Sequence, residues 1–355
     1  MTTTLPQRPY RPFQFELISK LSSGAGQSEK LAQHPLVQQH ERIALITDEH
    51  LQNTPYFDTC CMPLKERLVF TDTQTVPDSS VRHINELGER IRAENITLLI
   101  ALGGGSVMDT AKCAAVVAQK GGLVQDHAGY ERVQEILMPL LCIPTTAGTG
   151  AESTQFAVIK DHEANKKLVY VDKALIPTAA ILDPLWLKTV PRSVTIATGV
   201  DALTHAIEAI ASKVCNPHGE AWALRAIEII ISQNALVQLV NDSSDENAAN
   251  KMMIAANLAG HAISTCMLGA CHAMAHALGA LHGTPHGIAN GLCLATVMKF
   301  NKSKVPNAYA QIGWALGGRG DVDELAQHSI ERTSEFVHQI MGVPQKLSEV
   351  GIAET

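Results

Sequence analysis

The sequence predicts an α/β domain with a parallel sheet, followed by an all-helical domain. In the first half, short and continuously apolar runs alternate with stretches of helical periodicity, which is typical of parallel strands covered on both faces. In the second half, apolar residues recur at helical spacing over 193–240 and 247–280, and few alternating β-type runs remain. The composition shifts near residue 190, so we predict domains at 1–190 and 191–355.

Four apolar runs predict strands of this sheet. They span residues 42–48, 67–71, 96–102 and 140–143. Residues 81–95 have a helical period and many charges, which predicts a surface helix between the second and third strands. A helix of small residues through Val117 follows the third strand.

Composition restricts the class of protein. The chain has 355 residues, of which 46% are hydrophobic, enough for two domains with their own cores. A net charge of −7 gives no general attraction for phosphate backbones and argues against a nucleic-acid partner. No uninterrupted apolar run reaches the length of a membrane helix, and the N-terminus lacks the apolar core of a secretory signal. The 8 cysteines form no Cys-x-x-Cys pair, which predicts buried free thiols in a reducing cytoplasm.

A glycine-rich loop at 103–106 follows the third predicted strand. Glycines there let the backbone approach a ligand, and the N–H groups and dipole of a helix start favour a phosphate. Ser106 can cap the helix or donate to a phosphate oxygen, and Asp109 is expected in the first turn. Because the loop lacks the G-x-G-x-x-G fingerprint, a tight turn without a ligand explains it equally well.

A second loop, residues 144–152, follows the next apolar strand. Its three threonines, Thr145, Thr146 and Thr149, and its two glycines suit a ligand cleft at the carboxyl end of a strand. Alone it would be interpreted as a polar loop. Two such loops after neighbouring strands favour a dinucleotide bound by a Rossmann-like domain.

Asp48 ends the first predicted strand. A carboxylate at this place can accept both hydroxyls of an adenosine ribose and repel a 2′-phosphate, which favours NAD over NADP. The commoner role of such a residue is that of a solvated turn aspartate.

The strongest local signal is a cluster of four histidines, His272, His276, His282 and His286. At the average frequency of 15 His in 355 residues, a window of this length would hold roughly 0.6. Their neighbours are Ala, Met, Leu and Cys, so the imidazoles are expected in poorly hydrated surroundings. One buried histidine is usually a hydrogen-bonded core residue, but a metal ion explains four together because it binds neutral imidazole nitrogens.

An upstream segment adds a carboxylate and another imidazole. Asp201 and His205 are four residues apart and share one helix face. His286 lies beyond a turn at 283–285 that can return it toward His272. One carboxylate with several imidazoles suits Fe²⁺, Zn²⁺, Co²⁺ or Mn²⁺. Taken alone, Asp201 would be explained as a helix cap and His205 as a core histidine.

Four motifs in this order resemble those of the iron-containing, or group III, alcohol dehydrogenases, which include lactaldehyde reductase, propanediol dehydrogenase and maleylacetate reductase. The motifs are GGGSVMDTAK at 103–112, PTTAGTGAE at 144–152, GVDALTHAIEA at 199–209 and HAMAHALGALHGTPHGIANG at 272–291. The resemblance spans nearly the whole chain. It implies a dehydroquinate synthase-like architecture, in which a Rossmann-like α/β domain precedes an all-α domain.

The resemblance also implies roles for individual residues. The metal ligands would be Asp201, His205, His272 and His286. The dinucleotide site would be lined by Asp48, Gly104, Gly105, Ser106, Asp109, Thr145, Thr146, Thr149, Val158 and Lys167. His276 resembles the family's histidine beside the substrate and the nicotinamide, whereas His282 matches no ligand position.

Two positions depart from the family pattern. Asp78 stands where relatives commonly have Asn, and a second acid near the adenosine ribose would further disfavour NADP. Ser153 stands where relatives usually carry an apolar residue close to the substrate, which leaves the choice of substrate open.

The activity implied by the resemblance is metal-dependent hydride transfer between NAD(H) and a small primary alcohol or aldehyde. Fe²⁺ is the expected metal, with Zn²⁺ also compatible, and it would act as a Lewis acid on the substrate oxygen. A cytoplasmic homodimer or larger homo-oligomer is expected, without a nucleic-acid or membrane partner.

Three alternative activities stay open. A maleylacetate reductase-like enzyme would work without a metal, but the intact Asp and His set argues against it. A dehydroquinate synthase-type, metal-dependent lyase would need several Lys and Arg near the metal, and segments 199–209 and 272–291 contain none. A non-haem iron oxygenase would leave the two nucleotide loops without a role.

Overall fold

The computed structural model describes residues 9–76, 79–164 and 166–352, and its contacts divide the chain into two compact units. The sheet unit lies within residues 17–146 and 151–188. The helical unit comprises the described part of residues 1–16, residues 147–150, and the described residues from 189 onward. Asp78, predicted to lie near the ribose, falls outside the described residues.

The sheet unit contains all the strands of the described residues. They are β1 (Lys20–Ser23), β2 (Ile43–Ile46), β3 (Leu68–Asp72), β4 (Leu98–Gly103), β5 (Gly129–Tyr130), β6 (Leu140–Pro144), β7 (Phe156–Asp161), β8 (Lys166–Val171) and β9 (Ala179–Leu182). Six of them form one parallel sheet in the order β1-β9-β6-β4-β2-β3. The other three form a small sheet in the order β5-β8-β7, with β7 antiparallel to β8.

Helices cover the large sheet, and they are the regular secondary structure of the helical unit. In the sheet unit they are α1 (Pro35–Gln38), α2 (Glu49–Gln52), α3 (Pro55–Cys61), α4 (Val81–Ala93) and α5 (Gly105–Lys120). In the helical unit they are α6 (Arg192–Ala211), α7 (Pro217–Ile227), α8 (Ala235–Asn241), α9 (Glu246–Cys266), α10 (Ala270–His282), α11 (His286–Asn301), α12 (Pro306–Ala315) and α13 (Val322–Ser334). Short 3-10 turns occupy Ser28–Gln33, Met62–Leu64, Val124–His127, Lys173–Leu175, Pro184–Thr189 and Leu347–Val350, and π-helical turns occupy Glu228–Ser232 and Glu335–Ile340.

The predicted fold class is confirmed, since a parallel-sheet α/β unit is followed in sequence by helices alone. Each of the four apolar runs is a strand of the large sheet. Both faces of this sheet are covered, because adjacent residues of β4 enter different cores. Leu98 packs in the core that contains Phe57 of α3, and Leu99 packs in the core that contains Ile84 of α4.

The order of the strands creates a ligand-binding edge. The chain runs from β2 to its outer neighbour β3, crosses back to β4 on the other side of β2, and then continues to β6 and β9. Parallel sheets bind ligands beyond the carboxyl ends of their strands at such a switch point. The residues that follow β2, β4 and β6 therefore lie at the edge where a cofactor is expected.

Helix α6 is long and apolar enough, by length and composition, to cross a membrane. Two bent helix pairs, α7 with α8 and α9 with α10, would pass the same test if each pair were one span. For α6, 72% of the apolar window is buried inside the protein. Its apolar character is therefore that of a core helix. The 8 cysteines are all free and buried, as the sequence predicts.

Candidate metal centre and cofactor loops

Three helices of the helical unit bring together all four residues predicted to bind the metal. Oδ1 of Asp201 lies 3.6 Å from Nε2 of His272 and 3.6 Å from Nε2 of His286. One ligand atom from each of these three residues lies within 4.8 Å of the other two. His205 is less tightly placed, since its Nε2 is 3.9 Å from Oδ2 of Asp201, and its ring stacks on that of His272 with 4.6 Å between centroids.

The predicted turn at 283–285 brings the last histidine into this group. Gly283 ends α10 with a φ of 68°, a conformation that favours glycine because side chains with a Cβ rarely adopt it. Pro285 then precedes α11, which begins at His286. As a result the rings of His272 and His286 lie 5.3 Å apart between centroids.

The structure excludes helix capping as the role of Asp201. The sequence interpretation placed a helix start near Gly199, but α6 begins at Arg192 and Asp201 lies in its interior. An interior carboxylate has no orphan N–H groups to cap. Its side chain instead faces the imidazoles and the amide of Asn290, whose Nδ2 donates to Oδ1 of Asp201 at 2.7 Å.

Burial and mutual charge shift the pKa values of these groups. Burial alone would raise the pKa of Asp201, but the charges of His205 and His286 and the bond with His272 hold it well below its usual value. Burial lowers the pKa of His205 to about 4, against the attraction of Asp201. Burial also opposes protonation of His272, yet bonds to Asp201 and Glu208 raise its pKa to about 9.

The donor set fits a divalent metal ion. It offers one carboxylate and three imidazoles, the mixture of hard oxygen and borderline nitrogen that Fe²⁺ and Zn²⁺ accept. Two atoms bound to one ion at about 2.2 Å can be at most about 4.4 Å apart, and the distances of 3.6 and 3.9 Å satisfy this limit. The side chains of Asp201, His205 and His272 are at most 6% exposed, whereas that of His286 is 32% exposed, so a ligand can enter on the side of His286.

Glu208 belongs to this centre, although the sequence reasoning missed it. Its Oε2 accepts from Nδ1 of His272 at 2.6 Å, and its Oε1 accepts from the backbone N–H of Cys271 at 2.7 Å. Glu208 thereby keeps a proton on Nδ1 of His272, so Nε2, which faces Asp201, is the ring nitrogen left to bind an ion. The helical spacing contained a signal, because Glu208 is two turns beyond Asp201 on the same face of α6.

The remaining histidines of the cluster differ in their surroundings. His276 is half-buried, and its ring stacks on that of His286 with 4.9 Å between centroids. His282 is exposed and is the last residue of α10. His276 is therefore adjacent to the predicted ligands, whereas His282 belongs to the protein surface.

The glycine loop begins α5 at the carboxyl end of β4. A Cβ at Gly103 would meet the side chain of Val107 at 2.5 Å, so only glycine lets the helix pack this closely on the strand. Of the two roles that the sequence allows for Ser106, helix capping is excluded, because Gly104 is the N-cap residue and Ser106 is the second residue of α5. The loop leaves the first N–H groups of a 16-residue helix at the edge expected to bind a cofactor.

Asp109 has a different setting from the one predicted. It lies beyond the first turn of α5, and its Oδ2 accepts from the backbone N–H of Val158 in β7 at 2.9 Å. Burial raises the pKa of Asp109 to about 6, although the charges of Lys112 and Lys167 oppose the shift. Asp109 thus joins α5 to the small sheet, where Val158 and Lys167 also lie.

The other predicted cofactor residues follow β2 and β6. Asp48 caps α2, since its Oδ1 accepts from the backbone N–H of Leu51 at 2.9 Å, and it is half-buried rather than freely solvated. Thr145 is buried after β6, and a Cβ at Gly104 would lie 3.6 Å from the side chain of Thr146. Thr149 belongs to the segment 147–150 that is grouped with the helical unit.

Comparison with known proteins assigns the chain to a family. A model described as iron-containing alcohol dehydrogenase matches residues 19–184, and a model of the C-terminal domain of the Fe-containing alcohol dehydrogenase family matches residues 195–355. The chain belongs to the iron-containing alcohol dehydrogenase family. The predicted family and activity class are thus confirmed, and the chain is an alcohol dehydrogenase of this family.

Individual relatives of this alcohol dehydrogenase are similar over most of their length. Alcohol dehydrogenase 4 of Schizosaccharomyces pombe is 35% identical over 312 residues, which cover 87% of this chain and 73% of the relative. A solved structure of 1,3-propanediol oxidoreductase is 31% identical with a TM-score of 0.90, covering 97% of this chain and 90% of that one. Sulfoacetaldehyde reductase from Bifidobacterium kashiwanohense, solved in complex with NAD⁺, is 25% identical with a TM-score of 0.86 and the same two coverages.

Proposed function

We propose that this alcohol dehydrogenase uses NAD and a divalent metal, with Fe²⁺ preferred and Zn²⁺ compatible, to interconvert a small primary alcohol and its aldehyde. The observation that carries the proposal is the convergence of one carboxylate and three imidazoles from three helices. The family to which the chain belongs is described as iron-containing, and one similar structure is a complex with NAD⁺. The similar 1,3-propanediol oxidoreductase supports a small alcohol as substrate.

The four residues Asp201, His205, His272 and His286 would hold the metal. When bound, the ion would supply Lewis acidity that lowers the pKa of an alcohol, and the nicotinamide would accept the hydride. The buried surroundings of Asp201, His205 and His272 exclude water from this place, which strengthens the electrostatic interactions there. His276 stacks on His286 and is partly open to solvent, so it would take up the proton of the alcohol and pass it toward the ribose hydroxyls or solvent.

The dinucleotide would bind along the switch-point edge of the sheet. The start of α5 at Gly104, Gly105 and Ser106 would hold the pyrophosphate through backbone N–H groups. Asp48, at the carboxyl end of β2, would accept the ribose hydroxyls, with Asp78 as a second acid nearby. Thr145, Thr146 and Thr149 would donate hydroxyl hydrogen bonds, while Asp109, Val158 and Lys167 would shape the wall of the site.

An anaerobic assay of NADH oxidation tests the proposed function. Protein stripped of metal should be inactive toward short aldehydes, and addition of Fe²⁺ or Zn²⁺ should restore turnover because the ion supplies the Lewis acid. The matched control is the stripped protein supplemented with Mg²⁺, an ion that prefers oxygen ligands and should not restore turnover. Full activity of the stripped protein would instead favour the metal-independent, maleylacetate reductase-like alternative.

The cofactor preference depends on the charge of Asp48. We expect Asp48→Asn to raise the ratio of kcat/KM with NADPH to that with NADH by about tenfold, because the substitution removes repulsion of the 2′-phosphate worth about 1.4 kcal/mol. Asn caps a helix as well as Asp does, so the hydrogen bond from Leu51 is retained and α2 should stay intact. Steady-state kinetics with both cofactors measures the ratio, and an unchanged ratio would remove Asp48 from the ribose site.

We also propose a cytoplasmic homodimer or larger homo-oligomer. The buried free cysteines fit a reducing compartment. β1 is an edge strand of the sheet, and Leu17 and Leu21 are 58% and 49% exposed, as on a surface covered by a second copy. The division into a dinucleotide domain at 1–190 and a metal and substrate domain at 191–355 is part of the same proposal.

A further inference from the structure

Helix α5 carries a buried cation two turns beyond the glycine loop. Lys112 is only 1% exposed, and a lysine is rarely buried this deeply unless its ammonium group is bound. Its Nζ donates to the backbone oxygens of Thr154 at 2.9 Å and Phe156 at 2.8 Å, and to Oγ1 of Thr154 at 3.2 Å. An ammonium group has three hydrogens, so these contacts use its full donor capacity. Lys112 therefore joins α5 to the start of β7.

Lys112 and Asp109 together bind one edge of β7. They are three residues apart and lie on the same face of α5. Asp109 accepts from the backbone N–H of Val158, two residues beyond Phe156, and alternate residues of a strand direct their backbone groups to the same edge. β7 is an edge strand of the small sheet and pairs on its other side with β8. Two side chains thus bind backbone groups that a further strand would otherwise bind.

Folding stability alone does not explain a lysine at this place. Burial lowers the pKa of Lys112, and the charge of Asp109 opposes this shift. Replacing a buried pair of opposite charges by apolar residues of similar volume is often neutral or stabilising. The charged side chains add direction instead, because each charge-assisted hydrogen bond fixes where one backbone group of β7 lies relative to α5.

The backbone held in this way carries residues of the proposed cofactor site. Val158 lies in β7, and Lys167 lies in the paired strand β8, opposite Lys160. Both Val158 and Lys167 are predicted to line the dinucleotide. α5 begins at Gly105, where its first N–H groups are proposed to hold the pyrophosphate. The contacts of Lys112 with β7 therefore fix the position of this wall relative to the start of α5.

We propose that Lys112 is a positioning residue of the dinucleotide site. It acts through the backbone of Thr154 and Phe156, which it holds against α5. Without the ammonium group these backbone oxygens lose a donor in a buried place, which is unfavourable, and the start of β7 shifts to find other partners. The inference rests on the proposed use of NAD and adds a residue that the predicted cofactor contacts do not include.

The test compares Lys112→Met, which keeps a long side chain and removes the ammonium group, with wild-type protein. The dissociation constant for NADH is measured by fluorescence titration, and kinetics at saturating metal and aldehyde give kcat and the KM for NADH. We expect the dissociation constant and this KM to rise about tenfold, a loss typical of hydrogen bonds to a charged group. The value of kcat should stay nearly unchanged, because Lys112 acts on cofactor binding and not on the chemical step.

The matched control is Lys120→Met. Lys120 lies about two turns further along α5, and its Nζ also donates to a backbone oxygen, that of Val133, at 2.9 Å. Because Val133 is not among the predicted cofactor residues, this variant should lower the melting temperature without changing the dissociation constant for NADH.

Two outcomes would count against the positioning role. One is an unchanged dissociation constant for NADH in folded Lys112→Met, and the other is an equal rise in Lys120→Met. Lys112→Gln, which removes the charge and shortens the side chain, replaces the Met variant if that protein does not fold, with the same expectation. Failure of wild-type protein to bind NADH at all would overturn the proposed dinucleotide site itself.

Discussion

Replacing His286 by Ala should abolish turnover and leave NADH binding nearly unchanged. His286 supplies one of the three ligand atoms grouped within 4.8 Å, and its loss leaves the proposed centre without the ligand that borders the open side. The Lewis acid is worth several kcal/mol of transition-state stabilisation, so about 4 kcal/mol corresponds to a decrease of about 10³-fold in kcat/KM. The measurements are kcat/KM with a short aldehyde and the dissociation constant for NADH by fluorescence titration.

The matched control for this variant is His282→Ala. His282 lies in the same histidine cluster but is exposed at the end of α10, so we expect it to retain wild-type kinetics. The side chain of His286 is 32% exposed, and its replacement should cost little folding stability. Retained turnover in the His286 variant would count against the metal centre, and lost NADH binding would show that the substitution has disturbed more than the metal.

Three of the four strands predicted from the sequence are strands whose burial makes every residue apolar. β2, β4 and β6 are interior strands of a sheet covered on both faces, so their runs stand out. β1 is an edge strand with the sequence KLSS and mostly exposed residues, which no periodicity distinguishes from a loop. The strands β7 and β8 carry lysines on a partly exposed small sheet. β9 is interior and fully buried but has only four residues, two of them alanines, which are weak strand formers.

For the candidate metal centre too, the sequence predicts features within one helix but not the contacts between helices. Helical spacing places Asp201 and His205 on one face of α6, and it could have added Glu208 on that face. The packing of α6 against α10 and α11 is a tertiary contact, and the spacing of residues along the sequence does not determine it. The ligand set is therefore predicted from the cluster of histidines and the family resemblance. The hydrogen bonds of Glu208 and Asn290 are seen only in the structure.

Helix boundaries account for two differences between the roles that the sequence suggests and those in the structure. The motif at 199–209 predicts a helix start near Asp201, but α6 begins at Arg192 and buries Gly199 against Leu236. Ser106 is a candidate cap of α5 in the sequence, whereas the N-cap is Gly104 and the helix begins at Gly105. Boundaries depend on capping geometry of one or two residues, which weak local propensities do not determine.

Replacing Glu208 by Gln should weaken metal binding by about 10- to 100-fold, the loss typical of a group that orients a metal-binding histidine. Glu208 uses both carboxylate oxygens, one for Nδ1 of His272 and one for the N–H of Cys271. A Gln side chain has one acceptor oxygen, so one of these donors would face the amide –NH₂ group instead. The measurement is the Zn²⁺ dissociation constant by chelator competition, with turnover at saturating metal as a second readout.

A buried glutamate away from the ligands provides the comparison. Glu220 is 7% exposed in the same helical unit, and its Oε1 accepts from Tyr10 and Gln311. Glu220→Gln should therefore alter stability without altering the affinity for Zn²⁺. If Glu208→Gln also left the affinity unchanged, the carboxylate would serve only to join α6 to α10, and the orientation of His272 would depend on its packing alone. If the affinity falls while metal-saturated turnover recovers, Glu208 acts on the metal through His272, because the loss then concerns binding of the ion and not the chemical step.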